Sequence, residues 1–419
     1  MCKITKENDS LQRQTENKDE DSQKIVCNEN VPKLRFPEFE EEWKEHEFGT
    51  LFTIKNGLNK GKEYFNHGTP ILNYIDVNKR IFNSKNTIEG TVEVSAEEIK
   101  RYCVKNNDLF LTRTSETSDE IGLTSSYNGD SNNTVFSGFI LRARPKKQDI
   151  NSLFYAYYLR TNKMRFNIIK YSSITTRALI NSKNLSKMRV KLPDYNEQKK
   201  ISTFLSAIDK KIGFMEKKHT LYQNIKKYYL ENLFPKENET IPNLRFLEFN
   251  NDWIKTTLGN CVIFLDEKRI PLNQQIRSQM LSKYPYYGAA GIIDYVNNYI
   301  FDDELILLGE DGSIIPTLAS GKCWVSNHAH VLKNKKNINL YFLYNILSKI
   351  HFEKYNTGTI QPKLNKKTAK NIKIKITSKK EQEKIVDFML SIGTKIKKIQ
   401  KQIKFLKTFK KGLLQKMFC

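Results

Sequence analysis

Three sets of side chains have types and spacings that could do chemistry. Pro193, Asp194, Glu197 and Lys199 spell the pieces of a metal-dependent nuclease signature, a Pro-Asp followed by Glu-x-Lys. That chemistry places its carboxylates on neighbouring strands. Here Asp194 and Glu197 lie only three residues apart at the mouth of a helical stretch, so two strands cannot fit between them. His328 and His330 lie two apart, and in a strand both would point to one face and could bind a metal. No partner ligands cluster nearby in sequence, and a structural role is expected. Cys2, Cys27, Cys103, Cys261, Cys323 and Cys419 contain no CxxC pair, which argues against a thiolate zinc site and a disulfide framework and for free thiols.

Two further chemistries lack their parts. Adenine methylation calls for an Asn/Asp-Pro-Pro-aromatic motif and a glycine-rich cofactor loop. The chain has no Pro-Pro dipeptide and no GxGxxG after a strand. A GxxxxGK[ST] phosphate loop is also absent. The sequence therefore points away from catalysis, with no cofactor and no metal expected.

Charge points to a partner. Among 419 residues, 70 are Lys or Arg and 46 are Asp or Glu, a formal net charge of +24. That excess repels itself unless a polyanion neutralises it, and nucleic acid is the leading candidate. No run approaches ~18 apolar residues and the first 30 residues are polar, so neither a membrane span nor a signal peptide is expected, and a cytoplasmic location follows. Residues 1–30 carry a net −2 and read as a flexible tail.

The elements that would position any site are written twice. VPKLRFPEFEEEW at 31–43 recurs as IPNLRFLEFNNDW at 241–253, with Arg35/Arg245, Phe36/Phe246, Trp43/Trp253 and then Gly49/Gly259 matching at an offset of 210. Glu197, Gln198, Lys200, Ile201 and Phe204 recur as Glu381, Gln382, Lys384, Ile385 and Phe388 at an offset of 184. The chain is a tandem duplication whose second copy is 26 residues shorter between the two marks. Fixed ends with divergent interiors suit two surfaces that contact different things.

The closing marks open long heptads. Ile201, Leu205, Ile208, Ile212, Met215, His219, Tyr222, Lys226, Tyr229 and Leu233 form an a/d seam. The same register gives Ile385, Met389, Ile392, Ile396, Ile399, Ile403, Leu406, Lys410, Leu413 and Met417. Each predicts a proline-free rod of roughly 55 Å. A narrow seam is most simply buried by packing the rods against each other, antiparallel because a globular unit separates them. Lys226 and Lys410 sit on the seam, where an ammonium must snorkel outward, and His219 is a tolerated polar residue. The rods carry +4 (197–233) and +7 (381–417), so 11 of the 24 net charges are explained without nucleic acid.

With both repeats in view, the chain resembles HsdS, the specificity subunit family of type I restriction-modification systems, from about residue 31 onward. The phrases carrying the resemblance are VPKLRFPEF and IPNLRFLEF, LPDYNEQKKI and TSKKEQEKI, and KKGLLQKMF. Interior phrases add to it: NDLFLTRTSE at 107–116, YPYYGAAGIIDYV at 284–296, LLGEDGS at 307–313, NHAHVL at 327–332 and TGTIQPKLNKK at 357–367. The first half departs from the last of these, with SSITTRALINSKN at 172–184.

The resemblance implies a mixed α/β chain: two globular target recognition domains separated by two long helices packed as an antiparallel coiled coil. The corresponding boundaries are a tail to residue 30, domains at 31–193 and 237–373, and helical regions at 194–236 and 374–419. It further implies that each domain reads one half of a bipartite double-stranded DNA target. The helices would dock two methyltransferase (HsdM-like) subunits, through which motor-nuclease (HsdR-like) subunits join. A rod of ~55 Å exceeds one turn of B-DNA, ~34 Å, which is compatible with separated half-sites.

Candidate contacts follow from base chemistry. Arg reads guanine and Asn or Gln adenine, while acids accept from cytosine. Thr112, Arg113, Thr114 and Ser115 form a polar run straight after Leu109–Leu111, where a buried strand emerges; Glu310, Asp311 and Ser313 follow Leu305–Leu308 in the same way. A turn explains Gly309, Asp311 and Gly312 equally well. Lys55, Lys60, Lys62, Lys363, Lys366 and Lys367 are candidates for phosphate contact. The aromatic stretch 153–166 matches 341–352 at Tyr155/Tyr341, Tyr158/Tyr344, Lys163/Lys349 and Phe166/Phe352, with core packing as its expected use. Two other readings stay open: a nuclease with unrecognised chemistry, and a basic coiled-coil protein that binds DNA without sequence preference.

Overall fold

The computed structural model describes residues 30–129, 133–280 and 283–419, so the predicted tail falls almost entirely outside the described residues. The chain divides into two compact units. One runs up to Ile208 and takes in Phe409–Cys419; the other is Asp209–Thr408. These divisions differ from the sequence boundaries because they pass through both long helices. Each helix end is buried in a globular unit rather than standing apart from it.

In the first unit a five-stranded sheet has the spatial order Phe52–Asn56, Ile140–Pro145, Leu109–Thr112, Thr124–Tyr127, Phe82–Asn83. Its central strands read as continuous buried runs, Leu109–Phe110–Leu111 and Ile140–Leu141, because both faces are covered. Phe154, Tyr155, Tyr157 and Tyr158 of the helix Ser152–Tyr158 are all buried, so this helix is core as expected, but Phe166 at the end of the same stretch is 72% exposed and is not. The second unit builds a six-stranded sheet in the order Val262–Phe264, Ala329–Asn334, Phe301–Gly309, Pro316–Val325, Tyr284–Gly288, Gly291–Val296.

The registers of the two sheets can be superposed pair by pair. Ala143 opposes Ile54 and Leu109, and Leu332 opposes Phe264 and Ile306 in the same arrangement. Between the counterparts Leu72/Tyr287 and Leu109/Ile306 the second unit is 18 residues shorter. There the first unit carries the helices Tyr74–Lys79 and Ala96–Tyr102. One sequence match is corrected by this comparison. Asn151 and Asn339 both cap the aromatic helices, so Phe154 corresponds to Phe342 and the pairing of Tyr155 with Tyr341 drawn from sequence is two residues out.

The repeated marks are neighbours in space, which is why both were retained. The strand at Lys44–Glu47 pairs with Arg189–Leu192, and Ile254–Thr257 pairs with Lys373–Ile376 in the same register. Gly49 lies so close to the short helix Ser182–Ser186 that a Cβ would meet Ser186 Cβ at 2.7 Å. Gly259 meets Lys370 Cβ of Lys366–Lys370 at 3.1 Å. Arg35 forks onto Glu197, with both nitrogen–oxygen distances 2.8 Å, and Arg245 does the same to Glu381. Gln198 accepts from the Asn151 amide at 2.9 Å and Gln382 from the Asn339 amide at 2.8 Å. The Glu-Gln pair thus ties each half's opening loop and aromatic helix to the start of a rod.

Those rods are the central helix Tyr195–Asn232 and the terminal helix Lys379–Lys416, each 38 residues and in one register at an offset of 184. Within the second unit their segments run antiparallel, as Glu216–Lys407 (2.7 Å), Tyr222 under Lys395 and Tyr229–Phe388 (4.7 Å between centroids) show. Every seam position on either helix is buried or half-buried, Ile201, Leu205, Ile385 and Met417 most deeply. Lys410 is half-buried with its ammonium over the ring of the buried Tyr157, so its charge meets an aromatic face rather than following the outward escape expected of a seam lysine. Beyond the seams, Phe234 packs on Trp253 and Phe342 in the second unit, and Phe418 packs on Trp43 and Phe154 in the first.

Candidate nucleic-acid interface

In each unit three loops meet where the central strand leaves the sheet. In the first, Thr114–Ser115 pairs antiparallel with Ala178–Leu179, which folds back on Ser173–Ile174. The Ile180 amide donates to the Arg113 carbonyl, and the Arg113 amide to that of Phe139. The second unit repeats this backbone. Asp311 bridges to Lys363, the Leu364 amide donates to Glu310 O at 2.8 Å, and the Glu310 amide to His328 O at 2.8 Å. The segments 173–180 and 357–364 are therefore the same loop, although their sequences share almost nothing.

Many of the expected contact residues are committed inside the protein. Thr112 is fully buried, its hydroxyl donating to Glu120 O at 2.5 Å and accepting from the Leu123 amide at 2.9 Å. It faces the core rather than the surface because the chain re-enters at Gly122 and Leu123 to cover it. Ser115 is buried and accepts from the Thr117 amide, while Arg113 donates to Gly138 O at 3.3 Å. Thr114 is half-buried within the paired strand. Glu310 receives Arg269 at 2.7 Å, Asp311 pairs with Lys363 at 3.4 Å, and Ser313 is half-buried behind Gly309. Gly309 approaches Ser313 O so closely that a Cβ would stand 1.7 Å away, so this position admits only glycine.

The lysines separate in the same way. Lys60 Nζ lies 2.8 Å from Glu98, donates to Glu93 O and sits over the Tyr64 ring. Lys366 reaches Asp266 and Glu267 at 3.9 and 3.7 Å. Lys55, Lys62 and Lys367 are exposed and have no charged or hydrogen-bonded partner among the described residues. Sequence reasoning missed Lys183, the exposed counterpart of Lys367; both stand on short helices capped by Asn181 and Asn365, and the shared offset of 184 was the available signal.

His330 anchors the second unit's loop from inside. It is fully buried, donating from Nδ1 to Asp266 Oδ2 at 2.9 Å and from Nε2 to the Leu364 carbonyl at 2.7 Å. With an ionised Asp266 on one side and a carbonyl on the other, both contacts are satisfied together only by the doubly protonated ring. Burial alone would depress the imidazole, but the bonds to Asp266 and Leu364 outweigh it and hold the pKa above its usual value. Burial likewise opposes the Asp266 charge. The bonds from His330 and the Val331 amide reverse that and keep the carboxyl below its usual range. His328 precedes the strand and is exposed, so the two histidines do not share a face and the one-face reading is corrected. The nuclease-like residues are also dispersed: Asp194 caps the Asn196 amide, Glu197 is buried under Arg35 and Trp43, and Lys199 points to solvent. Among the described residues no group of three His, Cys, Asp or Glu is placed to hold a metal, and no helix is long and apolar enough to cross a membrane.

Comparison with known proteins agrees with this duplicated architecture. The family model "Type I restriction modification DNA specificity domain" matches residues 40–227 and again 250–407. A Methanocaldococcus jannaschii protein described as "Putative type I restriction enzyme MjaX specificity subunit" is 27% identical over 420 residues, covering 92% of this chain and 95% of its own. Another from that organism, the type I restriction enzyme MjaVIII specificity subunit, is 28% identical over 43% of this chain and 45% of its own. In fold, the chain is similar to the crystal structure of the type I restriction-modification S subunit from M. genitalium. The TM-score is 0.60 at 18% identity, over 93% of this chain and 99% of that one. The chain belongs to the type I restriction-modification DNA specificity family and carries two of its domains in tandem.

Proposed function

We propose that each unit reads one half of a bipartite double-stranded DNA target. The long helices act as the spacer between half-sites and as the platform for two methyltransferase (HsdM-like) subunits, to which motor-nuclease (HsdR-like) subunits add. In this reading the chain contributes recognition and no catalysis, needs no cofactor, and works in the cytoplasm. The observation that carries it is the loop framework built twice on one backbone register with different side chains: residues 173–180 in one unit, 357–364 in the other. A frame that is held while its contents change is what two readers of different sequences require.

Phosphate contact falls to the exposed Lys55, Lys62, Lys183 and Lys367, which position without specifying. Deleting the gene should erase one bipartite N6-methyladenine motif from the host genome, and restoring it should restore that motif. An unchanged methylome with the methyltransferase genes intact overturns the reading. A non-specific DNA-binding protein would instead bind all duplexes alike and purify without a methyltransferase.

A further inference from the structure

Two exposed, unpaired side chains of the loop cluster do not follow the central strands directly. They sit at the tips of the equivalent loops 173–180 and 357–364. With Ile180 and Leu364 bonded to Arg113 and Glu310, and Leu179 and Lys363 bridged to Thr114 and Asp311, the offset through both loops is 184. At that offset Arg177 stands where Gln361 stands. Both are exposed, and neither side chain has a hydrogen bond or ion pair among the described residues. Arg269 and Glu310 are engaged with each other, while Arg113 is half-buried, with one guanidinium N–H on Gly138 O and its Nε buried without a partner among the described residues.

We propose that Arg177 and Gln361 are base-reading side chains, one for each half-site. This rests on the reading of the units as DNA readers and names the specificity-determining position within them. Both side chains carry the chemistry of base recognition, since a guanidinium fork matches O6 and N7 of guanine and a carboxamide matches N6 and N7 of adenine. One position occupied by two different forks is what two different half-sites demand. A reader must also be held firmly, because side chains on a loose loop discriminate poorly. The first tip rides on a hairpin with register Ser173 to Leu179 and Ile174 to Ala178. The second is cinched at its neck, where Asn356 Oδ1 accepts from the Gly358 and Lys363 amides at 2.9 and 2.8 Å. There Thr357 donates from its amide to Lys363 O at 2.8 Å and from its hydroxyl to the same oxygen at 3.0 Å. Beside Gln361, Ile360 is 95% exposed, an apolar group of the kind that packs on a thymine methyl.

The test is the methylome of a host expressing the full chain with its methyltransferase partner, for the unchanged chain and for Arg177→Gln, Arg177→Ala, Gln361→Arg and Gln361→Ala. These are exposed tip positions, and the Gln/Arg exchanges keep a long polar side chain. Each variant should change the preference at one base pair of one half-site by roughly ten- to a hundredfold, leaving the other half-site as it was. Two results would overturn the assignment while leaving the proposed function standing: an unchanged bipartite motif at full methylation, or an even loss across all sites from a complex that still assembles. If the unchanged chain directs no bipartite motif, the function itself fails, and the assignment with it.

Discussion

Replacing Phe418 by Ala should open the first unit and leave the second intact. Phe418 comes from the terminal helix region yet is buried, 6.2 Å from Trp43, 5.4 Å from Phe154 and stacked on Tyr158 at 5.6 Å between centroids. Trimming a buried Phe to Ala costs about 3–5 kcal/mol when the cavity does not collapse. Leu413 and Met417 remain buried beside it and still hold the helix end, so the lower figure, about 3 kcal/mol, is the expected cost. At about 1.4 kcal/mol per factor of ten, amides that exchange only when the unit opens should exchange more than a hundredfold faster. Hydrogen exchange read by mass spectrometry distinguishes the units: peptides covering 152–158 and 189–192 should accelerate, and those covering 301–309 and 340–349 should not. Phe234→Ala should give the opposite pattern, since Phe234 holds the same post against Trp253 and Phe342. Unchanged exchange at 152–158, or equal acceleration in both units, would refute the reasoning that Phe418 closes the core of the first unit and Phe234 that of the second.

Other outcomes follow from single contacts. Arg35→Ala strands the fully buried Glu197 carboxylate and should lower stability by about 3–5 kcal/mol, read as a fall in the urea midpoint. Glu310→Ala should destabilise the second unit by about 1–3 kcal/mol by leaving Arg269 without its carboxylate, while the methylated motif keeps its sequence; a changed base preference would return Glu310 to the reading surface. His330 makes loop anchoring pH-dependent. Its pKa is raised in the folded state, so its contribution is present in full below about 6.5 and is lost as pH rises through the folded value. Asp266, lowered, contributes above about 4, and that part is lost as pH falls. Exchange protection at 357–364 should therefore weaken as pH climbs through the raised folded pKa of His330, and His330→Gln should flatten that dependence. A slope unchanged in the variant would place the titration elsewhere.

What depends on local periodicity was legible in the sequence. The heptads fixed both helices to within two residues, and the buried runs at 109–111 and 305–308 marked the central strands. Commitments made across long sequence separations were not legible. Glu310 looked like a reader until Arg269, 41 residues away, claimed it, and Lys60 looked free until Glu93 and Glu98 folded against it. Thr112 follows a buried strand and still faces the core, because Gly122 and Leu123 return over it. The His328/His330 pairing failed on a single residue of strand boundary. The loop at 172–184 resisted assignment because its identity lies in backbone bonds to Arg113 and Thr114, which leave almost no trace in residue type.

The central claim is that the chain holds two independent DNA readers. It is tested most directly by replacing residues 44–180 with those of a relative of different specificity and sequencing the methylome of a host that also supplies the methyltransferase. One half of the bipartite motif should change, with the other half and the adenine N6 chemistry retained. A change in both halves, or in neither while methylation persists, would contradict it.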